Sequence, residues 1–346
     1  MLLGNLSNSI SSGRNKHRDA HGQYPVFGST GIIGYSSTYE YEGPVILVAR
    51  VGANAGTLNF ASGQYDVSDN TLIITIKQNV YDYNFAYNQL THYKLNKLVF
   101  GSGQPLITSK QLKNIRIPVP PLAEQRKIAE VLGVWDKAIE KQARLIEKLA
   151  LRKRALMQRL LSAKLRLPGF SEPWKKVKLG DVAELYQPQT IQSEDLSQTG
   201  YPVYGANGLI GYYNNYNHEY PQVVITCRGS SCGTVNFTPG KCWITGNAMV
   251  LNVDNNRDVN KSFFYYLISN SSFVNLISGS GQPQIVRQPL LKFELRIPPL
   301  KEQTAIAEVL TAADREIDLA KEKLERLRRQ KRGLMQQLLS GKKRVK

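Results

Sequence analysis

Cysteine is scarce in this sequence: Cys227, Cys232 and Cys242 are the only three, and no two have CxxC spacing. An odd, sparse set builds no disulfide framework and fits a reducing cytoplasm, with the thiols acting as small core groups. Long apolar runs are missing as well. None reaches the ~18 residues that a membrane helix requires. The opening MLLGNLSNSISSG has neither the basic start nor the apolar stretch of a secretory signal. A cytoplasmic location with no membrane partner is therefore expected. Histidine is rare and scattered. His17 and His21 lie four apart, but in a Gly-rich, loop-like stretch, so no metal site is expected there. There is no GxxxxGK[ST], HExxH, DPPY or NPPY, and the PP pairs at 120–121 and 298–299 are each followed by Leu. The duplicated carboxylates Glu124/Glu302 and Glu130/Glu308 fall early in helices, where the dipole accounts for them. Nothing marks a catalytic residue or a cofactor site, and the chain does not read as an enzyme.

Negative charge is also in short supply. Lys and Arg total 45 against 27 Asp and Glu, a net +18, which suggests a polyanionic partner, most often nucleic acid. The excess is uneven: +13 of it falls within 123–166 and 300–346, so the pI alone does not place a DNA site in the larger segments.

What the sequence does contain is a repeat. YPVFGSTGIIGY (24–35) returns as YPVYGANGLIGY (201–212), and GTLNF (56–60) as GTVNF (233–237). SDNTLIITI (68–76) lines up with TGNAMVLNV (245–253), and GSGQP (101–105) recurs unchanged at 279–283. PPLAEQRKIAEVL (120–132) matches PPLKEQTAIAEVL (298–310), and LMQRLLS (156–162) matches LMQQLLS (334–340). Ordered matches at a nearly constant offset describe one module duplicated, too long and too few for a solenoid. Each copy is a globular part followed by a helix.

The globular parts read as strand-rich. GPVILVARVG (43–52), TLIITI (71–76) and PQVVITCRG (221–229) are β-branched runs bounded by Gly and Pro. FAYNQLTHYKL (85–95) and FFYYLISNSSFVNLI (263–277) read as helices, and the Gly-rich segments between strands read as turns. The prolines of IRIPVPPL and LRIPPL end a strand and lead into a helix. In those helices Ile128, Leu132, Trp135, Ile139, Gln142, Ile146, Leu149, Lys153, Leu156 and Leu160 keep a heptad spacing. Their counterparts are Ile306, Leu310, Ala313, Ile317, Ala320, Leu324, Leu327, Lys331, Leu334 and Leu338, with the lysine interruption at the same place. Each helix runs ~39 residues, about 58 Å. Two matching seams in one chain predict an antiparallel pair, with core packing in separate domains as the alternative. The tail SGKKRV (340–345) resembles SAKLRL (162–167), as if a next module were beginning. The expected fold is α+β: two tandem strand-rich mixed α/β domains separated by two long helices forming an antiparallel coiled coil, with pseudo-twofold symmetry.

Such a module suits duplex DNA, read as two half-sites at fixed separation. The copies differ in SSGRNKHRDAHGQ (11–23) against QPQTIQSEDLSQTG (187–200), which implies an asymmetric, bipartite target. Arg, Lys, Asn and Gln read base edges. The DNA-binding candidates are Arg14, Lys16, Arg50, Asn54, Gln104 and Lys110 in the first half. In the second they are Gln189, Asn207, Arg228, Ser230, Gln282 and Arg287. Gly28, Gly31 and Gly34, recurring as Gly205, Gly208 and Gly211, serve either a turn or a close approach to phosphate. GSGQP carries the same two readings. The basic runs Arg152-Lys153-Arg154 and Arg326 to Arg332 suit either the helix dipole or phosphates of spacer DNA. The reading from another class is a structural coiled-coil protein whose strand-rich modules bind protein or glycan. A stand-alone modification enzyme is opposed by the missing motifs.

The ordered set YPVFGSTGIIGY, ARVGANAG, SDNTLII, GSGQP and PPLAEQRKIAEVL…RALMQRLLS, present twice, resembles the DNA-specificity (S) subunit of type I restriction-modification systems over nearly the whole chain. The resemblance implies target-recognition domains over 1–120 and 167–297, a central conserved helix over 121–166, and a C-terminal conserved helix with a basic tail over 298–346. It implies a non-catalytic subunit in which each recognition domain reads one half of a split target on double-stranded DNA. The helices act as a ruler and dock two methyltransferase subunits, which methylate adenine N6 using S-adenosylmethionine held in those partners. Restriction and motor subunits can join such a complex. One departure stands out: PGFSEPWKKV (168–177) precedes Leu179-Gly180, whereas the first half opens at Met1-Leu2-Leu3-Gly4 without that lead-in. This leaves open how the first domain's edge is covered.

Overall fold

Val45–Ala49 is a Val-Ile-Leu-Val-Ala run in which every residue is buried, because the strand it forms has apolar neighbours on both faces. In the computed structural model, which describes residues 1–346 apart from 16–18, 20, 102–104, 206–207, 280 and 346, the chain divides into two compact units. The first comprises 1–144 and 322–346, the second 145–321. Lys16, Gln104 and Asn207 lie outside the described residues.

In the first unit α1 (Leu3–Leu6) leads into β1 (Ser7–Ser12). There follow β2 (Tyr24–Gly28), β3 (Gly31–Ser36), β4 (Tyr41–Glu42), β5 (Val45–Ala49), β6 (Leu58–Ala61), β7 (Gln64–Val67) and β8 (Thr71–Ile76). Helices α2 (Tyr83–Tyr93) and α3 (Ser109–Lys113) precede the long α4 (Leu122–Leu160). The strands make two sheets, β1-β8-β5-β6 and β3-β2-β7-β4. Ile46 and Val48 of β5 face a core shared with α1, α2 and α4, while Val45 and Leu47 face Tyr65 and Val67. The Gly-rich segment is a tight hairpin in which Gly28 pairs with Gly31. Gly31 has φ +101°, a conformation that side chains disfavour. Its counterpart Gly208, with φ +91°, pairs with Gly205.

The second unit repeats this order. It runs β9 (Lys175–Lys178), α5 (Leu179–Val182), β10 (Glu184–Tyr186), β11 (Tyr201–Gly205), β12 (Gly208–Tyr213), β13 (Val223–Thr226), β14 (Val235–Phe237), β15 (Trp243–Ile244) and β16 (Ala248–Asn252). Then come α6 (Lys261–Ser269), β17 (Ile277–Ser278), β18 (Gln284–Ile285), α7 (Arg287–Leu291), β19 (Glu294–Ile297) and the long α8 (Leu300–Leu338). The main sheet, β10-β16-β13-β14, matches that of the first unit strand for strand. Helix α6 stops at Ser269, well short of the expected 277. Asn270 and two serines follow, and Ser271 Oγ bonds to the Leu267 carbonyl at 2.8 Å, competing with helix continuation.

Both heptad-bearing segments form 39-residue helices. Within the first unit, Ile128 and Leu132 of α4 share a core with Met335 and Leu338 of α8. Asp136 pairs with Lys331 at 2.5 Å, and Glu124 with Arg344 beyond the end of α8. The α4 and α8 segments of this unit therefore run in opposite directions. Within the second unit Leu149 packs with Ile317 and Ala320, Lys153 pairs with Asp314 at 2.5 Å, and Arg166 pairs with Glu302 at 2.6 Å, again in opposite directions. The lysine that interrupts both seams is thereby explained. Its stem is largely covered, and its ammonium meets an aspartate of the other helix.

The repeated PPLxEQ motif ties each helix to its domain. Gln125 is fully buried; its Oε1 accepts the Asp82 N–H at 2.9 Å, and its Nε2 donates to the carbonyls of Val80 and Pro120. Gln303 makes the same bonds to Asn260, Asp258 and Pro298. The amide thus satisfies backbone groups at the start of two helices at once.

The units differ at the edge where the lead-in lies. In the second, β9 pairs with β19 over four residues, and Trp174 packs edge-on against Phe263 with its indole N–H 3.3 Å from Glu302. In the first, Leu2 bridges Arg116 and the Met1 carbonyl accepts the Ile117 N–H. Phe85, the counterpart of Phe263, meets Tyr81 edge-on at 6.0 Å. Tyr81 donates to Gln89, which donates to the Pro118 carbonyl, each at 2.6 Å. Val259 and Leu267 stand at the matching places of the second unit. The first unit thus supplies its own aromatic partner for this phenylalanine, with the buried phenol satisfied.

Candidate nucleic-acid interface

One end of each main sheet gathers most of the candidate residues. In the first unit the Gly13 and Arg50 N–H groups donate to Thr71 and Asn70, which brings the end of β1, the end of β5 and the start of β8 together. The Gly52 N–H donates to the Pro105 carbonyl at 2.9 Å and the Ile107 N–H to that of Arg50, pinning the 105–107 segment beside the β5–β6 turn. Arg14, Arg50 and Asn54 therefore share one end of the sheet. Arg14 is exposed, 3.8 Å from Glu40, a spacing that leaves it free for other anions. Asn54 is exposed in the turn. Lys110 is exposed on the first turn of α3, behind the Thr108–Gln111 capping box.

The second unit builds the same surface. The Gly229 N–H donates to the Pro283 carbonyl at 3.0 Å and the Ile285 N–H to that of Cys227. The Gln187 side chain donates to the Gly246 carbonyl, and the Trp243 indole donates to that of Gln189. Gln189, Arg228, Ser230 and Gln282 are all exposed there. Arg287 is set apart. It opens α7 and lines a groove of about 710 Å³ with Arg257 and the carboxylates Asp181, Glu184 and Asp258. That setting has more acid than base.

The backbone register agrees with the repeat offset in keeping Arg50 and Arg228 out of equivalent positions. The Arg50 carbonyl takes the bond that the Cys227 carbonyl takes, so Arg50 matches Cys227, and Val51 matches Arg228. A shift of one residue turns a side chain to the other face. Arg50 is half-buried, with Nη1 bonded to Ser12 Oγ at 3.2 Å and a buried Nε that has no partner among the described residues. Cys227 is buried in the core, and burial pushes its thiol up to about 12. Nearby, buried His218 lies between Tyr186 OH on Nε2 and Asn217 Oδ1 on Nδ1. Burial holds its pKa below the ordinary histidine value.

Sequence reasoning missed the hairpin tips, where Ile32, Leu209 and Ile210 are exposed. Their apolar character reads as core, and only the hairpin geometry turns them outward. It also missed the polar network around Tyr266, for which no motif exists.

The Type I restriction modification DNA specificity domain family model matches residues 8–150 and 171–329, one match for each copy of the repeat. The chain belongs to this family. As a specificity subunit it is the recognition component of a type I restriction-modification system and not the catalytic one. Such systems act with DNA and partner subunits. The Type I restriction enzyme MjaVIII specificity subunit of Methanocaldococcus jannaschii is 26% identical over 345 residues, covering 87% of this chain and 79% of the relative. The crystal structure of the type I restriction-modification S subunit from M. genitalium superimposes with a TM-score of 0.68 at 20% identity, covering 98% of this chain and 95% of that one. A chain from a structure on complex assembly and conformational transition of the type I R-M system gives 0.60 at 19% identity, with 99% and 97% covered. These likenesses bear on the fold. Among the described residues of this specificity subunit, no helix is long and apolar enough to cross a membrane.

Proposed function

We propose that this specificity subunit reads an asymmetric, bipartite sequence in double-stranded DNA, one half-site by each recognition domain. The domains span about 1–120 and 167–297. The observation that carries the reading is one scaffold with two different faces. The same sheet end presents Arg14 and Asn54 in the first unit and Gln189, Arg228, Ser230 and Gln282 in the second. Exposed Arg, Asn and Gln on loops held by a rigid sheet suit major-groove base edges. Lys16, Gln104 and Asn207 join them as candidates by their sequence neighbours, and Lys110 and Arg287 are better suited to phosphates or a partner. The two long helices pair antiparallel along their length about a pseudo-twofold axis, set the half-site spacing, and dock two methyltransferase subunits. S-adenosylmethionine belongs to those partners, and the methylated atom is adenine N6. The reading is supported by the opposed α4 and α8 segments within each unit and by the basic excess on both helices.

The test is a map of N6-methyladenine in cells with and without this gene, the methyltransferase gene being present in both. Loss of a split motif on deletion is the expected result. An unchanged methylome in a strain whose methyltransferase is active with other recognition subunits overturns the reading.

A further inference from the structure

The two units also differ at the junction of the recognition domain with the long helix. In the second, Tyr266 of α6 lies on α8: its hydroxyl donates to Asp314 Oδ2 at 2.8 Å and sits 3.2 Å from Thr311 Oγ1. Lys153, itself paired with Asp314, stands 5.3 Å from the centre of that ring, and the Tyr265 ring lies 5.1 Å away on another side. The phenol is held by a carboxylate, a cation and an aromatic wall.

In the first unit nearly all of this setting is kept and the phenol is not. Asp136 and Lys331 stand where Asp314 and Lys153 stand and make the same 2.5 Å pair. Tyr87 replaces Tyr265 and keeps its companion ring, Phe60, as Tyr265 keeps Phe237. But Tyr266 becomes Asn88, whose amide turns back to the Asn84 carbonyl at 2.8 Å, and Thr311 becomes Gly133. A Cβ added at Gly133 would meet nothing within 4 Å. At this place lies a groove of about 620 Å³ lined by Tyr87, Asn88, Gly133 and Asp136, with the cations Arg126 and Lys137 on its wall. No phenol is bonded to Asp136 among the described residues.

The geometry points to a tyrosine-binding slot on the first unit, occupied by a tyrosine side chain of a partner protein. The incoming ring lies against Tyr87 and its hydroxyl donates to Asp136, the carboxylate that also holds Lys331. The second unit is closed to the same ligand because its own tyrosine fills the place. The slot is thus present once per chain and breaks the equivalence of the two copies. Assigning the tyrosine to a partner protein rests on the reading of this chain as one subunit of an assembly; the slot itself does not.

The probe is N-acetyl-L-tyrosinamide added to the full chain, followed by saturation-transfer NMR without DNA or other subunits. Saturable transfer is expected. The O-methyl ether, which keeps the ring and loses the donor, should bind at least about tenfold more weakly, as loss of a hydrogen bond to a charged group implies. The double variant Asn88→Tyr, Gly133→Thr restores the residues of the second unit and should abolish transfer while keeping the wild-type urea midpoint. Absence of saturable transfer, equal binding of the ether, or transfer that survives in a folded double variant overturns the slot. If the double variant fails to fold, the comparison of the two ligands on the wild-type chain decides alone. Because no methylation is measured, a negative result here is distinct from a failure of the DNA-reading proposal.

Discussion

Arg50 and Arg228 end matching strands, yet one is half-buried on Ser12 and the other is exposed, so their substitutions should part company. Arg228→Ala should cost about 1–3 kcal/mol of discrimination at one position of the second half-site and leave the first half-site unchanged. Methylation of a plasmid library carrying randomised half-sites reads this out. Arg50→Ala should act first on stability, because the sheet end loses its Ser12 contact and part of a buried stem. The repeat offset already sets Arg50 against Cys227 and Val51 against Arg228, but the half-burial of Arg50 on Ser12 shows only in the structure. His218 gives a residue-scale prediction in pH. Its folded pKa lies below the unfolded value of about 6.5, so the unfolded chain takes up the proton first as pH falls. Stability is full above pH ~6.5 and declines below it, levelling once the folded histidine is itself protonated. Urea midpoints between pH 8 and 5 should fall more for the wild type than for His218→Gln.

Among the elements, the long helices were the most legible, because a heptad pattern over ten positions has few other uses. The lysine in each seam looked like a flaw in that pattern. Its reason lies in an aspartate more than 150 residues away along the chain, which no local rule finds. Short elements were harder. Helix α6 ended early at a polar triplet, and the residues that follow β8 and β16 are tied to the long helices through Gln125 and Gln303. Those glutamines invite a direct test. Gln125→Leu keeps the bulk but strands the Asp82 N–H and the Val80 and Pro120 carbonyls in a dry site. A loss of about 3–5 kcal/mol is expected, read as a lower urea midpoint. Gln303→Leu should behave alike in the second unit. The candidate site was legible in outline: the loops rich in Arg, Asn and Gln do meet at the sheet ends. Arg287 went elsewhere because α7 places it in a groove that Asp181 and Asp258 also line, a packing choice invisible in its neighbours.

For the molecule as a whole, the duplicated order of elements makes a modular prediction. Replacing residues 1–120 with another recognition domain should change one half of the methylated motif only. Inserting seven residues at matching points of α4 and α8 should change the spacing between the halves while keeping both sequences. A methylome of each strain checks these outcomes. The aromatic and ionic contacts at the start of α4 carry one more implication. Glu124 and Arg344 are 220 residues apart, and Met335, Leu338 and Leu339 belong to the core around Ile128. The second unit, by contrast, is one uninterrupted stretch, 145–321. At ~5–20 residues per second, ribosomes take on the order of 10–40 s to pass from Glu124 to Arg344. During that interval the finished first recognition domain waits with one side of its core uncovered, whereas the second, complete near 297, meets the last of its own unit by residue 321. The half made first thus stays open longest and is the one most exposed to chaperones and proteases.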